Sequence, residues 1–207
     1  MGWSIFNKRT GFFVGVTLIY CIIYVLISAV SSSFGDGAGK NVAAIVNFIL
    51  GALLSMGLLS FTLKAYDSVD TAQISDLWHP RSFLKYLIAY ILVLIITLVG
   101  FMLLVIPGII ASLALMFTTY LVVDHDLGPI QAIKESSRIT KGNRWNLAVL
   151  GLALVGINIL GALCLIVGLL ATLPITGLAM VHAYRSLAKA NAIPVISPTL
   201  VSTTPQV

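Results

Sequence analysis

Charge is what this sequence has least of. Of its 207 residues, 12 are Lys or Arg and 7 are Asp or Glu, 9% charged in all, against about 25% in soluble globular domains. Residues 86–123 and 145–184 contain no Asp, Glu, Lys or Arg. With 59% hydrophobic residues and a mean hydropathy of +1.05, the chain cannot cover a water-exposed surface, which excludes an ordinary soluble fold. Cysteine is scarce too. Cys21 and Cys164 fall in apolar stretches, where a thiol packs as a small hydrophobe, so neither a disulfide framework nor a metal site is implied. Catalytic signatures are also missing. There is no Gly-rich phosphate loop, no HExxH and no GxSxG, so the expectation is a non-enzymatic protein without cofactor or metal.

What is there is apolar chain in blocks. Residues 10–35, 41–63, 86–123 and 145–184 are free of charge. A bilayer core of about 30 Å takes about 20 residues of helix. The first two blocks fit one crossing each and the last two fit two each. The expected fold is an all-α integral membrane bundle of six helices in three hairpins, with short interfacial cytoplasmic helices. The spans are expected near residues 10–31, 41–63, 83–105, 108–123, 145–167 and 172–187, forming one domain over residues 1–189. The segment 190–207 is rich in Pro, Ser and Thr and reads as a disordered cytoplasmic tail. Pro107-Gly108 and the stretch from Gly168 to Pro174 are the expected helix breaks, because proline lacks the backbone donor and glycine permits unusual dihedrals. A re-entrant pair of half-helices is the competing reading for the third and fourth spans. Lys8 and Arg9 precede about 20 apolar residues, longer than a signal-peptide core, so the first span is expected to stay.

The net charge of +5 suggests nucleic acid only until the basic residues are placed. With both termini cytoplasmic, Lys8, Arg9, Lys64, Arg81, Lys85, Lys134, Arg138, Lys141, Arg144, Arg185 and Lys189 all lie inside, and only Lys40 lies outside. That is the asymmetry membrane insertion selects. No nucleic-acid partner is expected.

Smaller patterns sharpen this layout. Ala43, Asn47, Gly51 and Ser55 recur every four residues, as a helix-packing seam or a substrate path would. Residues 68–80 suit an interfacial helix capped by Ser68 or Asp70, with Ile74, Leu77 and Trp78 on one face. Each even-numbered span ends in a tyrosine near charge: Tyr66 before Asp67, Tyr120 before Asp124, Tyr184 before Arg185. Interfacial preference or internal repetition would produce that.

Residues 124–144 join the two longest apolar blocks and hold seven charged side chains. Gly128-Pro129 suits a helix start and Gly142 the position past its end. On the helix between them, Ala132, Ile133, Ser136, Ile139 and Thr140 share one face and Lys134, Arg138 and Lys141 another. The second face, continued by Arg144, is the candidate contact for anionic headgroups or a protein partner. Asp124, His125 and Asp126 resemble an ion site, but alternate residues at a helix end do not converge. They are expected to cap helices and pair with Arg138 or Arg144. His182 reads as an interfacial residue.

PGI at residues 107–109, AIKES at 132–136, TKGN at 140–143 with Trp145, SDLW at 75–78 and the Tyr120…Asp124 ending together resemble a family of uncharacterised bacterial multi-pass membrane proteins. They are also similar to the membrane domain fused to some glycerophosphodiester phosphodiesterases. The resemblance covers roughly residues 75–187. It implies a helical protein of the bacterial inner membrane, with no activity to transfer residue by residue, since the soluble phosphodiesterase domain is not in this sequence. Two functions fit: organising lipid or a protein partner through the basic helices, or a small transporter or channel for an uncharged or lipid-like solute. A homo-oligomer fits either.

Overall fold

A helix surrounded by lipid can be apolar on every side, whereas one lying at a water boundary must divide its faces. The chain contains helices apolar all round and one that divides its faces. In a computed structural model that describes residues 10–32, 38–67, 83–163 and 167–191, the fold is all-α, with no strand among the described residues. The helices are α1 (Thr10–Ser32), α2 (Ala38–Asp67), α3 (Phe83–Leu103), α4 (Val105–Leu115), α5 (Thr118–His125), α6 (Pro129–Thr140), α7 (Arg144–Leu163) and α8 (Val167–Ala190). Among them α6 separates its polar and apolar faces most sharply.

Four stretches are long and apolar enough to cross a membrane: Asn41–Asp67, Phe83–Leu103, Val105–His125 and Arg144–Leu163. Six were expected. The regions of the first and sixth expected spans are helical, as α1 and α8, but fall outside that set among the described residues. The leader 1–9, most of the first loop, the expected interfacial helix at 68–80 and the tail from 192 lie outside the described residues.

The expected breaks at Pro107-Gly108 and between Gly168 and Pro174 are corrected. The first reversal is at Leu104, whose extended backbone (φ −167°, ψ 151°) separates α3 from α4. Pro107 lies in the first turn of α4, where its missing N–H deprives no helical carbonyl. It starts a helix instead of ending one. Gly108 lies in the same turn and serves a close crossing. A Cβ on Gly100 would stand 3.0 Å from Gly108 Cα, and one on Gly108 would stand 2.5 Å from the Phe101 ring. Such approach is how lipid-embedded helices gain packing contacts. The last hairpin repeats the device. A Cβ on Gly161 would stand 2.7 Å from Thr172 Oγ1, and one on Gly168 would overlap the Gly161 carbonyl. Residues 164–166, between α7 and α8, lie outside the described residues, and Pro174 lies within α8.

One interruption carries no proline or glycine. Met116 and Phe117 form a turn that splits Val105–His125 into α4 and α5.

Burial concentrates at the charged end of the bundle. Met56, Leu63, Tyr86, Phe117, Leu121, Ile139, Val181 and Tyr184 are among the residues of its packed core. The far end is bare: Met102, Leu103, Leu104, Val105 and Ile106 at the α3–α4 tip are exposed, as are Leu160 and Leu163 of α7. Apolar surface this extensive marks contact with lipid or with another membrane chain.

Candidate functional site at the charged end

The helix α6 begins and ends on local signals. Gly128 is its N-cap and Pro129 its first residue, where the missing N–H costs nothing. At the other end Lys141 N–H donates to Arg138 O at 3.2 Å, and Gly142 follows at φ +88°, a conformation that favours glycine. Ala132, Ser136, Ile139 and Thr140 are buried, and Ile133 is half-buried. This face packs along α3, α4 and α5.

Two hydroxyls on that face fill the gap between α4 and α5. Ser136 Oγ accepts from Phe117 N–H at 3.2 Å and donates to Ala114 O at 2.9 Å, and Thr140 Oγ1 lies 3.3 Å from the same carbonyl. A helix interrupted inside packed protein, as here where Phe117 is fully buried, leaves backbone groups that no water can satisfy. Here α6 satisfies them, so the break and α6 are one structural unit.

The opposite face points outward and touches the bundle through Arg138, whose Nη2 donates to Asn191 O past the end of α8 at 3.4 Å. Lys134, Arg138 and Lys141 are exposed, flanked by Ile130, 64% exposed, and Trp145, 80% exposed. Arg138 holds Glu135, with Nε 2.9 Å from Oε2 and Nη2 2.5 Å from Oε1. Those hydrogen bonds keep the Glu135 carboxyl below its ordinary value, so the pair stays ionised at neutral pH. Arg144 is half-buried, with Nη2 3.4 Å from Ser137 Oγ. It faces α6 more than solvent.

The three residues Asp124, His125 and Asp126 diverge. Asp126 adopts a left-handed conformation (φ 52°) and pairs with Lys85, Nζ to Oδ2 at 2.8 Å. Asp124 does not pair with Arg138 or Arg144, which corrects that expectation. Its partner is Arg185 of α8, because α5 and α8 end at the same level while the α6 cations point away. Arg185 Nη1 donates to Asp124 Oδ2 at 2.6 Å, and Nη2 donates to Asp124 Oδ1 at 3.0 Å and to Asp67 Oδ2 at 2.5 Å. Tyr184 Oη donates to Asp124 Oδ2 at 2.8 Å. His125 Nε2 lies 3.1 Å from Asp124 Oδ2 without completing a well-formed hydrogen bond. One guanidinium, on a residue 8% exposed, thus ties the ends of α2, α5 and α8 together. Beside it Tyr66 Oη and His182 Nδ1 are 2.6 Å apart. These contacts clamp three helices; no described group of three or more His, Cys, Asp or Glu side chains is arranged to hold a metal.

Sequence reasoning passes over Arg185 and Asp67 as partners. A signal for them exists: the three tyrosine-marked endings are the three helices that meet in this cluster. On α2, Asn47, Gly51 and Ser55 line a cavity of about 540 Å³, and a Cβ at Gly51 would meet nothing within 4 Å. Ala43 is buried. The tight backbone approaches of this fold include the Gly100–Gly108 and Gly161–Gly168 pairs, not Gly51.

The profile of a family described as a protein of unknown function (DUF975) matches residues 93–191. That stretch contains α6, Asp124 and Arg185 but neither Asp67 nor α1. The chain is also similar to uncharacterized proteins of Mycobacterium tuberculosis (strain ATCC 25618 / H37Rv) and Mycobacterium bovis (strain ATCC BAA-935 / AF2122/97). Each is 28% identical over 182 residues, 84% of this chain and 56% of the relative. The chain therefore spans little more than half the length of these relatives. No solved structure matches. The resemblance to an uncharacterised family accords with these matches; likeness to the membrane domain fused to phosphodiesterases draws no support from them.

Proposed function

We propose that the chain is a non-enzymatic multi-pass protein of the bacterial inner membrane that organises anionic lipid at the cytoplasmic surface through α6. In this reading α1 and α8 complete six spans and both termini are cytoplasmic, as the distribution of Lys and Arg favours. The observation that carries the reading is the division of labour on α6. One face is bonded to the helix break through Ser136 and Thr140; the other presents Lys134, Arg138 and Lys141 between an exposed isoleucine and an exposed tryptophan. Cations suit phosphate, the indole suits the headgroup boundary, and the isoleucine reaches toward the acyl chains. Each basic residue near an anionic surface contributes about 1 kcal/mol.

Native mass spectrometry of the purified chain tests this, with phosphatidylglycerol and phosphatidylcholine supplied in equal amounts. Preferential retention of phosphatidylglycerol, lost in a Lys134→Gln/Arg138→Gln/Lys141→Gln variant, supports the proposal. Equal retention of both lipids would sink it, and specific recovery of one protein lost in the same variant would move the role to a protein partner. A second reading, a small transporter or channel for an uncharged or lipid-like solute, is favoured by the cavity among α1, α2 and α3.

A further inference from the structure

The cavity has a chemistry of its own. It is walled by α1, α2 and α3, and Tyr20, Tyr24, Tyr90, Asn47, Ser28 and Ser55 supply its polar groups. Ala44, Ala52 and Phe48 supply apolar wall, and among the described residues no Asp, Glu, Lys, Arg or His lines it. Its volume of about 540 Å³ lies within the range of about 300–1,000 Å³ typical of small-molecule sites. Two features separate it from a packing defect. A Cβ at Gly51 would meet open space, although glycine in a helix interior is destabilising relative to alanine. The aromatic residues on the wall are also ordered against one another, Tyr20 stacked on Tyr24 at 6.5 Å between centroids and Phe48 tilted on Tyr90 at 5.7 Å.

The cavity is only half enclosed. Tyr24, Phe48 and Tyr90 are partly exposed, and Ile45 and Leu94, one helical turn from Phe48 and Tyr90, are exposed apolar residues. In a bilayer such a rim faces acyl chains, so an occupant enters from the lipid and leaves its tail there. Phenol groups donate to ester carbonyls and accept from hydroxyls. A charged headgroup would find no counter-ion on the described wall, and burying it unpaired is costly.

From this we infer that the α1–α2–α3 cavity binds the uncharged head of a neutral glycerolipid, with the acyl chains extending into the bilayer past Tyr24 and Tyr90. This deepens the second reading, on which it rests, and stands apart from the α6 surface, which concerns anionic lipid. The test is photolabelling of the full chain in nanodiscs with diacylglycerol carrying a diazirine near the glycerol, beside phosphatidylglycerol carrying the same group. Peptide mapping should place diacylglycerol adducts on residues 20–28 and 44–55. Gly51→Phe should lower them at least about five-fold while phosphatidylglycerol adducts on α6 stay unchanged, since filling the cavity removes the ligand's space. Ala44→Leu, on the same wall, should lower them too, and it serves if the first variant does not elute as wild type. Adducts spread evenly over lipid-facing positions such as Leu98 and Leu152 would overturn the inference. So would labelling insensitive to both substitutions, or adducts of the anionic probe on the cavity wall at equal yield. Crosslinks between two copies at α1 or α2 in place of lipid adducts would overturn it as well. Loss of α6 labelling alone would count against the proposed role of α6 and leave the cavity intact.

Discussion

Replacing Arg185 by leucine removes the cation that faces both Asp67 and Asp124. In the native arrangement Nη2 contacts Asp67 Oδ2 at 2.5 Å and Asp124 Oδ1 at 3.0 Å, so those oxygens are at most 5.5 Å apart. Left without the guanidinium, two carboxylates at that distance repel by about 3 kcal/mol at an effective dielectric of about 20. Removing one partner of a buried ion pair costs about 3–5 kcal/mol. The Asp124 side chain is 6% exposed and that of Asp67 25%, so the lower half of that range applies. For a chain of this size each 1 kcal/mol corresponds to about 2–4 °C in Tm. Arg185→Leu should therefore lose roughly 6–16 °C in a detergent thermal scan at constant rate, followed by gel filtration of the soluble fraction. Adding Asp67→Asn and Asp124→Asn should recover most of the loss, because apolar or neutral replacement of a whole buried ionic group is often near neutral. A drop under about 2 °C for Arg185→Leu, or no recovery in the triple variant, would refute the clamp.

Other outcomes follow from the same geometry. Ser136→Ala leaves Phe117 N–H without its side-chain partner and Ala114 O with the longer Thr140 contact alone, and should cost about 1–3 kcal/mol by the same scan. Ser137→Ala, one position along and losing only the long 3.4 Å contact from Arg144, should stay within about 0.5 kcal/mol. Gly108→Val and Gly161→Val force side chains into Phe101 and Thr172 and should each cost about 1–3 kcal/mol or more, while Gly151→Ala and Gly156→Ala, with nothing within 4 Å, should be neutral or slightly stabilising. The Glu135 carboxyl lies below its ordinary value because Arg138 hydrogen-bonds it. The pair's contribution is thus present above the unfolded-state value and lost only as pH falls through the lower folded-state value. Retention of phosphatidylglycerol should be flat from pH 7 to about pH 5, near the ordinary Glu value of about 4.3, and Glu135→Gln should raise it throughout by freeing Arg138; a rise already evident at about pH 6 in the wild type would contradict this.

Local signals are legible in the sequence and long-range ones are not. The bounds of α6 follow from Gly128, Pro129 and Gly142 because caps act within one turn. Its buried face follows from a period of about 3.6 residues. The absence of charge identifies apolar helices for the same reason, since composition alone decides whether a stretch can lie in lipid. Pro107 and Pro174 mislead because proline is equally at home in the first turn of a helix and tolerated within one whose freed groups find other partners. The break at Met116 and Phe117 is invisible because its cause is tertiary: Ser136, 19 residues away, takes the Phe117 N–H. Arg185 meets Asp124 across 61 residues and Asp67 across 118, a pairing no spacing rule reaches. The repeated tyrosines point to the three helix ends, and only their convergence explains the pattern.

The most direct test of α6 as a reader of anionic lipid uses Trp145 itself. In a Trp3→Phe/Trp78→Phe background it is the remaining tryptophan, and its fluorescence can be titrated with dibrominated phosphatidylglycerol or dibrominated phosphatidylcholine in otherwise identical bilayers. The predicted result is half-maximal quenching by the phosphatidylglycerol at a mole fraction at least about ten-fold lower, a modest part of the roughly 3 kcal/mol available from three basic residues, with the difference abolished by Lys134→Gln/Arg138→Gln/Lys141→Gln. Superimposable quenching curves for the two lipids would contradict it.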